Sequence, residues 1–143
     1  LNWTIYDQAD QVQLLGNVLD LKGLAGGSTI DQGYIENQAV LNLGWRLEAF
    51  SANWNMRYVG PAEMGFGTKE DGFPQLNSKL YHNVNVAWDF TEKSRVYIGA
   101  NNLFDTDPPF MASGSSGTQA LDTVPGYYDV YGLSVYAGIT FMM

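Results

Sequence analysis

Strict alternation of apolar and polar residues is the feature that most constrains this chain, because only extended backbone turns successive side chains to opposite faces. In LYHNVNVAWDF, Leu80, His82, Val84, Val86, Trp88 and Phe90 share one face. Tyr81, Asn83, Asn85, Ala87 and Asp89 share the other. FSANWNMRYVG sets Phe50, Ala52, Trp54, Met56 and Tyr58 against Ser51, Asn53, Asn55 and Arg57. AVLNLGWRL sets Ala39, Leu41, Leu43, Trp45 and Leu47 against Val40, Asn42, Gly44 and Arg46. The tail YGLSVYAGITFMM puts Tyr131, Leu133, Val135, Ala137, Ile139, Phe141 and Met143 on one face. With RVYIGA and the opening LNWTIYDQA, six strands are expected, about 1–9, 38–47, 50–60, 80–90, 95–104 and 127–141. Asp7 breaks the apolar face of the first. The segment QVQLLGNVLDLKGLAGG is read as irregular loop, in preference to a helical turn through Leu14, Leu15, Val18 and Leu19 or a hairpin through VLDL.

The polar face of these segments is Asn, Ser, Gly, Thr and Tyr, with few Lys or Glu. An exposed face of a soluble sandwich normally carries more charge, and a crowded, wet lumen suits small and amide residues. Trp45, Phe50, Trp54, Trp88 and Phe90 are expected to gather at strand ends beside short turns, as an aromatic girdle at a membrane interface; the rival reading is aromatic core packing. Connections alternate between long (10–37, 60–79, 105–126) and short (47–50, 90–94), the rhythm of outer-membrane barrels. The long ones hold ten of the fifteen acidic residues and three of the seven basic ones, hence −7 of the net charge of −8. That charge argues against nucleic acid, which needs a basic patch. No run of 18 apolar residues exists, so no transmembrane helix is expected. A transmembrane strand needs only about 10 residues and is allowed.

Reactive chemistry is sparse. The chain has no cysteine and a single histidine, His82, on the apolar face, where a structural role at the interface is expected. Lone His with scattered carboxylates makes no transition-metal site. The loop acids Asp20, Asp31, Glu63, Glu70, Asp71, Asp105, Asp107 and Asp122 follow no calcium-loop pattern. Ser113, Ser115 and Ser116 have no Gly-x-Ser-x-Gly elbow. GLAGG at 23–27 lacks the Lys and helix start of a phosphate loop. No enzyme, cofactor or metal is expected. The candidates for meeting a passing solute, or equally a plug domain, are the lumen-side residues Asn53, Asn55, Arg57, Asn83, Asn85 and Asp89, together with Tyr81.

In NNLFDTDPPF, Pro108 and Pro109 cannot donate ladder hydrogen bonds, so strand pairing stops there. Asp105 and Asp107 suit a turn through side chain to backbone bonds, and Asn101 and Asn102 are placed to bond the loop base. The run Asn101, Asn102, Leu103, Phe104, Asp105, followed by the two prolines, a Gly/Ser loop and YYDVYGLSVYAGITF, resembles the C-terminal end of TonB-dependent outer-membrane receptors. VNVAWDFTEKSRVYIGA resembles that family's penultimate hairpin. The resemblance is clear over 80–143, diffuse over 36–60 and weak before that. Leu133 stands where the family commonly has a basic residue, and Met143 where it usually has an aromatic one.

The resemblance implies an all-β fold: an antiparallel transmembrane β-barrel portion, about six strands of a larger barrel, with 1–143 as the C-terminal part. It implies residence in the outer membrane of a Gram-negative bacterium and energised uptake of a scarce solute such as a siderophore, cobalamin or an oligosaccharide. The implied partners are outer-membrane lipid, the rest of the barrel with its plug domain, the TonB complex through the missing N-terminal part, and the barrel-assembly machinery. The signal for that machinery would run through Tyr131, Val135, Ala137, Ile139, Phe141 and Met143. The opening LNWTIYDQAD has neither a basic n-region nor an apolar h-region, so no signal peptide is expected in it. Six strands are too few to close a barrel, and lipid cannot hydrogen-bond open edges, so a fragment of a larger protein is expected. Two rivals remain: a complete eight-stranded outer-membrane barrel of structural or adhesive role, with an extra hairpin in the first loop, and a soluble carbohydrate-binding β-sandwich that buries Trp45, Trp54 and Trp88.

Overall fold

A computed structural model of the chain describes residues 2–5, 12–14, 17–19, 23–25, 35–64, 75–110, 123 and 126–141. All regular structure among them is β: β1 (Asn2–Ile5), β2 (Val12–Leu14), β3 (Asn17–Leu19), β4 (Leu24–Ala25), β5 (Asn37–Leu47), β6 (Phe50–Val59), β7 (Glu63–Met64), β8 (Lys79–Thr91), β9 (Ser94–Asn101) and β10 (Ser134–Phe141). The main sheet is antiparallel and open, in the order β1-β5-β6-β8-β9-β10. Its body is the five strands of eight residues or more, with four-residue β1 at one edge and β10 at the other.

Sequence order equals spatial order in this sheet, and two of its five connections are two-residue hairpins. Leu47 pairs Phe50 across Glu48–Ala49, with Glu48 at φ +50°, and Thr91 pairs Ser94 across Glu92–Lys93. The side-chain period of two then carries the alternation across the sheet. Leu47, Phe50, Trp88, Val96 and Ile139 form one cross-strand row. Trp45, Ala52, Val86, Ile98 and Ala137 form the next, and Leu43, Trp54, Val84, Ala100 and Val135 a third. These three rows are apolar and, Ala100 apart, largely uncovered: Trp45 and Ile98 are 56% exposed, and Phe141 on the same face 63%.

Three sequence expectations are corrected. Strand β9 stops at Asn101 rather than 104, because Asn102 takes φ +48°, which no strand accommodates. Strand β10 starts at Ser134 rather than 127, because Gly132 at φ +71° turns the chain just before it. Tyr131 therefore lies off the strand whose face it was expected to share. Finally, 12–14 and 17–19 are not irregular: Val12, Gln13 and Leu14 pair antiparallel with Leu19, Val18 and Asn17, in a two-stranded sheet of their own. Short apolar runs of this kind look alike as strand, helix or loop.

The buried core is small. Ile35, Val59, Ala62, Leu76, Tyr81 and Tyr128 cluster at the long-loop end of the polar face. Loops meet there: β4 pairs parallel with β7, Glu63 N–H donates to the Gly23 carbonyl (2.8 Å), and Ala62 and Leu76 form a bridge.

Candidate functional site

The polar face carries an amide ladder. The register aligns Asn42, Asn55 and Asn83 on three neighbouring strands. Asn55 Nδ2 donates to Asn42 Oδ1 (2.7 Å), Asn83 Nδ2 donates to Asn55 Oδ1 (3.1 Å), and Asn83 Oδ1 accepts the Asn102 N–H (2.9 Å). The Asn55 and Asn83 amides are thereby each fixed in one orientation, since oxygen and nitrogen are both used.

The ladder ends in a knot. Asn102 is fully buried; its Oδ1 accepts the Thr106 N–H (2.8 Å) and its Nδ2 donates to the Thr106 carbonyl (3.1 Å). Its own carbonyl accepts the Asp105 N–H, and the next residue, Leu103, donates its N–H to the His82 carbonyl, each at 2.8 Å. Asp105, at φ +50°, accepts the Leu133 N–H through Oδ1 (2.8 Å). A side chain at Gly132 would crowd that same oxygen, its Cβ 2.8 Å away. Asn101 instead reaches Ser134 Oγ weakly (3.4 Å), and both it and the Phe104 ring are exposed. NNLFD is thus more than a strand stop. It ties β8, β9 and the entry to β10 together where the ladder alone would leave three loose ends.

The remaining candidates expected to meet a solute lie on the same polar face but differ in freedom. Arg57 donates to the Tyr127 carbonyl (2.6 Å), with its guanidinium 4.7 Å from the Tyr81 ring centroid. Asp89 is held by Arg95 in a two-pronged ion pair (2.5 and 2.9 Å) beside a concavity of about 500 Å³ lined by Arg46, Thr91, Glu92 and Thr140. Asn85 Nδ2 approaches Tyr136 Oη (3.4 Å), and Asn53 leans over Gly44. The sequence did not single out Tyr97 and Tyr136. Each covers a glycine on the facing strand: a Cβ at Gly99 would collide with the Tyr136 ring, and one at Gly138 with the Tyr97 phenol. The signal was present, since β9 and β10 each carry one Tyr and one Gly, and the antiparallel register pairs them reciprocally.

On the apolar face the aromatics form two groups rather than one. Phe50 stacks on Trp88 (centroids 5.8 Å) and Trp88 tilts against Phe90 (5.9 Å), near the short turns. Trp54 is not with them. It stacks on His82 (5.5 Å), donates Nε1–H to His82 Nδ1 (3.1 Å), and Phe104 meets His82 edge-on (4.9 Å), near the long-loop end. The expected single girdle is therefore split, because Trp54 sits four residues, or about 13 Å, up the strand from Phe50. Met143, Asp20, Asp31, Glu70, Asp71, Asp122, Ser113, Ser115 and Ser116 lie outside the described residues, as do Gly26 and Gly27 of the segment GLAGG.

No family model, curated protein or solved structure matches this chain. The resemblance to TonB-dependent receptors rests on the residues of the sequence alone.

The core at the loop end makes a pH prediction. Burial, then the neighbouring Tyr81 and Tyr127, push the Tyr128 phenol up to about 12, and its hydroxyl has no hydrogen-bond partner. A free phenol titrates near ~10. The neutral form is thus favoured by folding: stability is full below pH 10 and is lost as pH rises from there through about 12. Tyr128→Phe removes this loss and abandons no bond. Alkaline unfolding is expected to move to higher pH in the variant, with neutral-pH stability unchanged or raised by about 1 kcal/mol. An unchanged alkaline midpoint would show that another group controls it.

Proposed function

We propose that this chain is part of the wall of a transmembrane β-barrel, the C-terminal portion of a TonB-dependent outer-membrane receptor that imports a scarce solute. The observation that carries this reading is the uncovered apolar face formed by three complete cross-strand rows. Water would penalise such a face, while hydrocarbon would not. From Leu80 to Phe90 the apolar face runs ten steps, about 33 Å along the strand. Tilted by about 40°, this gives a height near the ~25 Å apolar band of outer-membrane barrels, with an aromatic group near each end. The NNLFD knot supports the receptor rather than a generic barrel. In this reading, strands outside this chain pair with the free edges of β1 and β10, and the plug and TonB contact lie elsewhere in the receptor.

The rivals fare less well. A sandwich would bury Trp45, Trp54 and Trp88, and all three are exposed. An eight-stranded barrel needs two further spanning strands, yet β2 and β3 have three residues each where spanning takes about 9–11.

The test is fractionation followed by intact mass. The protein is expected in the detergent-extracted outer membrane, resistant to alkaline carbonate washing, at a mass several times 15.8 kDa. A membrane protein of 15.8 kDa would favour the small barrel. Recovery in the soluble fraction would defeat both membrane readings.

A further inference from the structure

The low-relief patch on β6, β8, β9 and β10 has the chemistry of a sugar-binding wall. Tyr136 and Tyr97 lie down over Gly99 and Gly138, so each ring has one side on the sheet and the other turned away from it. Their centroids are 6.4 Å apart with planes at 58°. In the row of Tyr136 stand Asn85 and Asn53. Asn53 has no hydrogen bond to another described side chain, and Asn85 uses one of its two N–H donors on Tyr136 Oη. That row holds no charged side chain. The row of Tyr97 holds one, Arg46, about 14 Å from Tyr97 and diagonally beside Asn53 at the edge of the patch. The other polar-face charges of these strands sit at the two ends, Lys79 and Arg57 at one, the latter tied to the Tyr127 carbonyl, and Asp89 neutralised by Arg95 at the other.

We infer that Tyr97, Tyr136, Asn53 and Asn85 form a subsite for a neutral oligosaccharide. Flat rings meet the C–H faces of sugar rings. Amides supply both donors and acceptors to vicinal hydroxyls. An anionic metal chelate or an acidic polysaccharide needs a cluster of cations, and this patch has one at its edge, Arg46, beside Asn53. The inference rests on the barrel reading, in which the polar face lines the lumen, and it narrows the solute class that reading leaves open.

The protein is purified from detergent-solubilised outer membranes, at whatever length it has there, so its recovery tests the barrel reading separately. Saturation-transfer NMR is then run with three probes: hydrolysates of starch and of xylan, both neutral, and of pectin, which is acidic. Saturation is expected on C–H protons of at least one neutral hydrolysate and not on pectin. In Tyr136→Leu, which keeps bulk and strand preference but loses the flat ring, neutral-sugar affinity is expected to fall about tenfold. Tyr136→Phe keeps the ring and is expected to stay within about threefold, which separates stacking from misfolding. Folded membrane protein that binds neither neutral hydrolysate, prefers pectin, or binds equally as Tyr136→Leu overturns the inference and leaves the barrel reading standing.

Discussion

Ile98→Lys is expected to destabilise the protein in detergent or bilayers by about 2–4 kcal/mol, the cost of a lysine facing lipid near the midplane. Ile98 lies between Val86 and Ala137 in the middle apolar row and is 56% exposed. That exposure makes the substitution decisive. If the face met water, an exposed isoleucine would accept lysine within about 0.5 kcal/mol, and solubility would improve. If it meets hydrocarbon, the ammonium must be desolvated or the bilayer deformed. Phe141→Lys provides the depth control. It lies at the short-turn end, paired with Ser94, where a lysine costs only about 0–1 kcal/mol. Denaturant titrations of both variants give the profile. A large loss at 98 with a small one at 141 supports a lipid-facing band, whereas two small effects place the face in water.

Much of the sheet was legible because alternation is a local property. Trp45 against Arg46, or Val86 against Ala87, declares a face without reference to any other strand. The two-residue turns add register, directly between β5 and β6, and with a one-residue shift between Asp89 and Thr91 for β8 and β9. What was not legible depends on pairs far apart in the chain. Asp105 was read as a local turn residue, yet its carboxylate bonds Leu133, 28 positions away. Trp54 was grouped with the short-turn aromatics by composition, but its position in the register places it against His82 and Phe104. Tyr97 and Tyr136 looked like ordinary strand residues until the register set each opposite a glycine.

The same logic explains why the lumen-side candidates divide. All of Asn53, Asn55, Arg57, Asn83, Asn85 and Asp89 share a face by parity, which sequence shows. Whether a side chain is spent on the wall or left for a visitor depends on its neighbours. Asn55 and Asn83 are spent on the ladder, Arg57 on a carbonyl and Asp89 on Arg95. Asn53 and Asn85 keep spare hydrogen-bonding capacity beside two flat rings, and the subsite is inferred there for that reason.

The two adjacent asparagines of NNLFD should differ by several-fold in their importance. Asn102→Ala is expected to cost about 3 kcal/mol. It leaves the half-buried Thr106 N–H and carbonyl without their partners, at about 1–3 kcal/mol where unsatisfied. It also asks alanine to hold φ +48°, a left-handed conformation that costs about 1–2 kcal/mol and that Asn tolerates better than most. Asn102→Gly removes the second penalty and keeps the first, so about 2 kcal/mol is expected. Asn102→Asp keeps an acceptor for the Thr106 N–H but loses the donor to its carbonyl and buries a charge, so it should cost more than Gly. Asn101→Ala loses one long contact to Ser134 at an exposed position and should stay within about 0.5 kcal/mol. Because the Asn102 N–H also terminates the amide ladder on Asn83, the alanine variant should loosen the polar face near Asn83 as well as the loop. Hydrogen exchange at Thr106 and along β8 reads both effects. Equal losses at 101 and 102 would mean that the motif acts through its bulk on the surface and not through this knot.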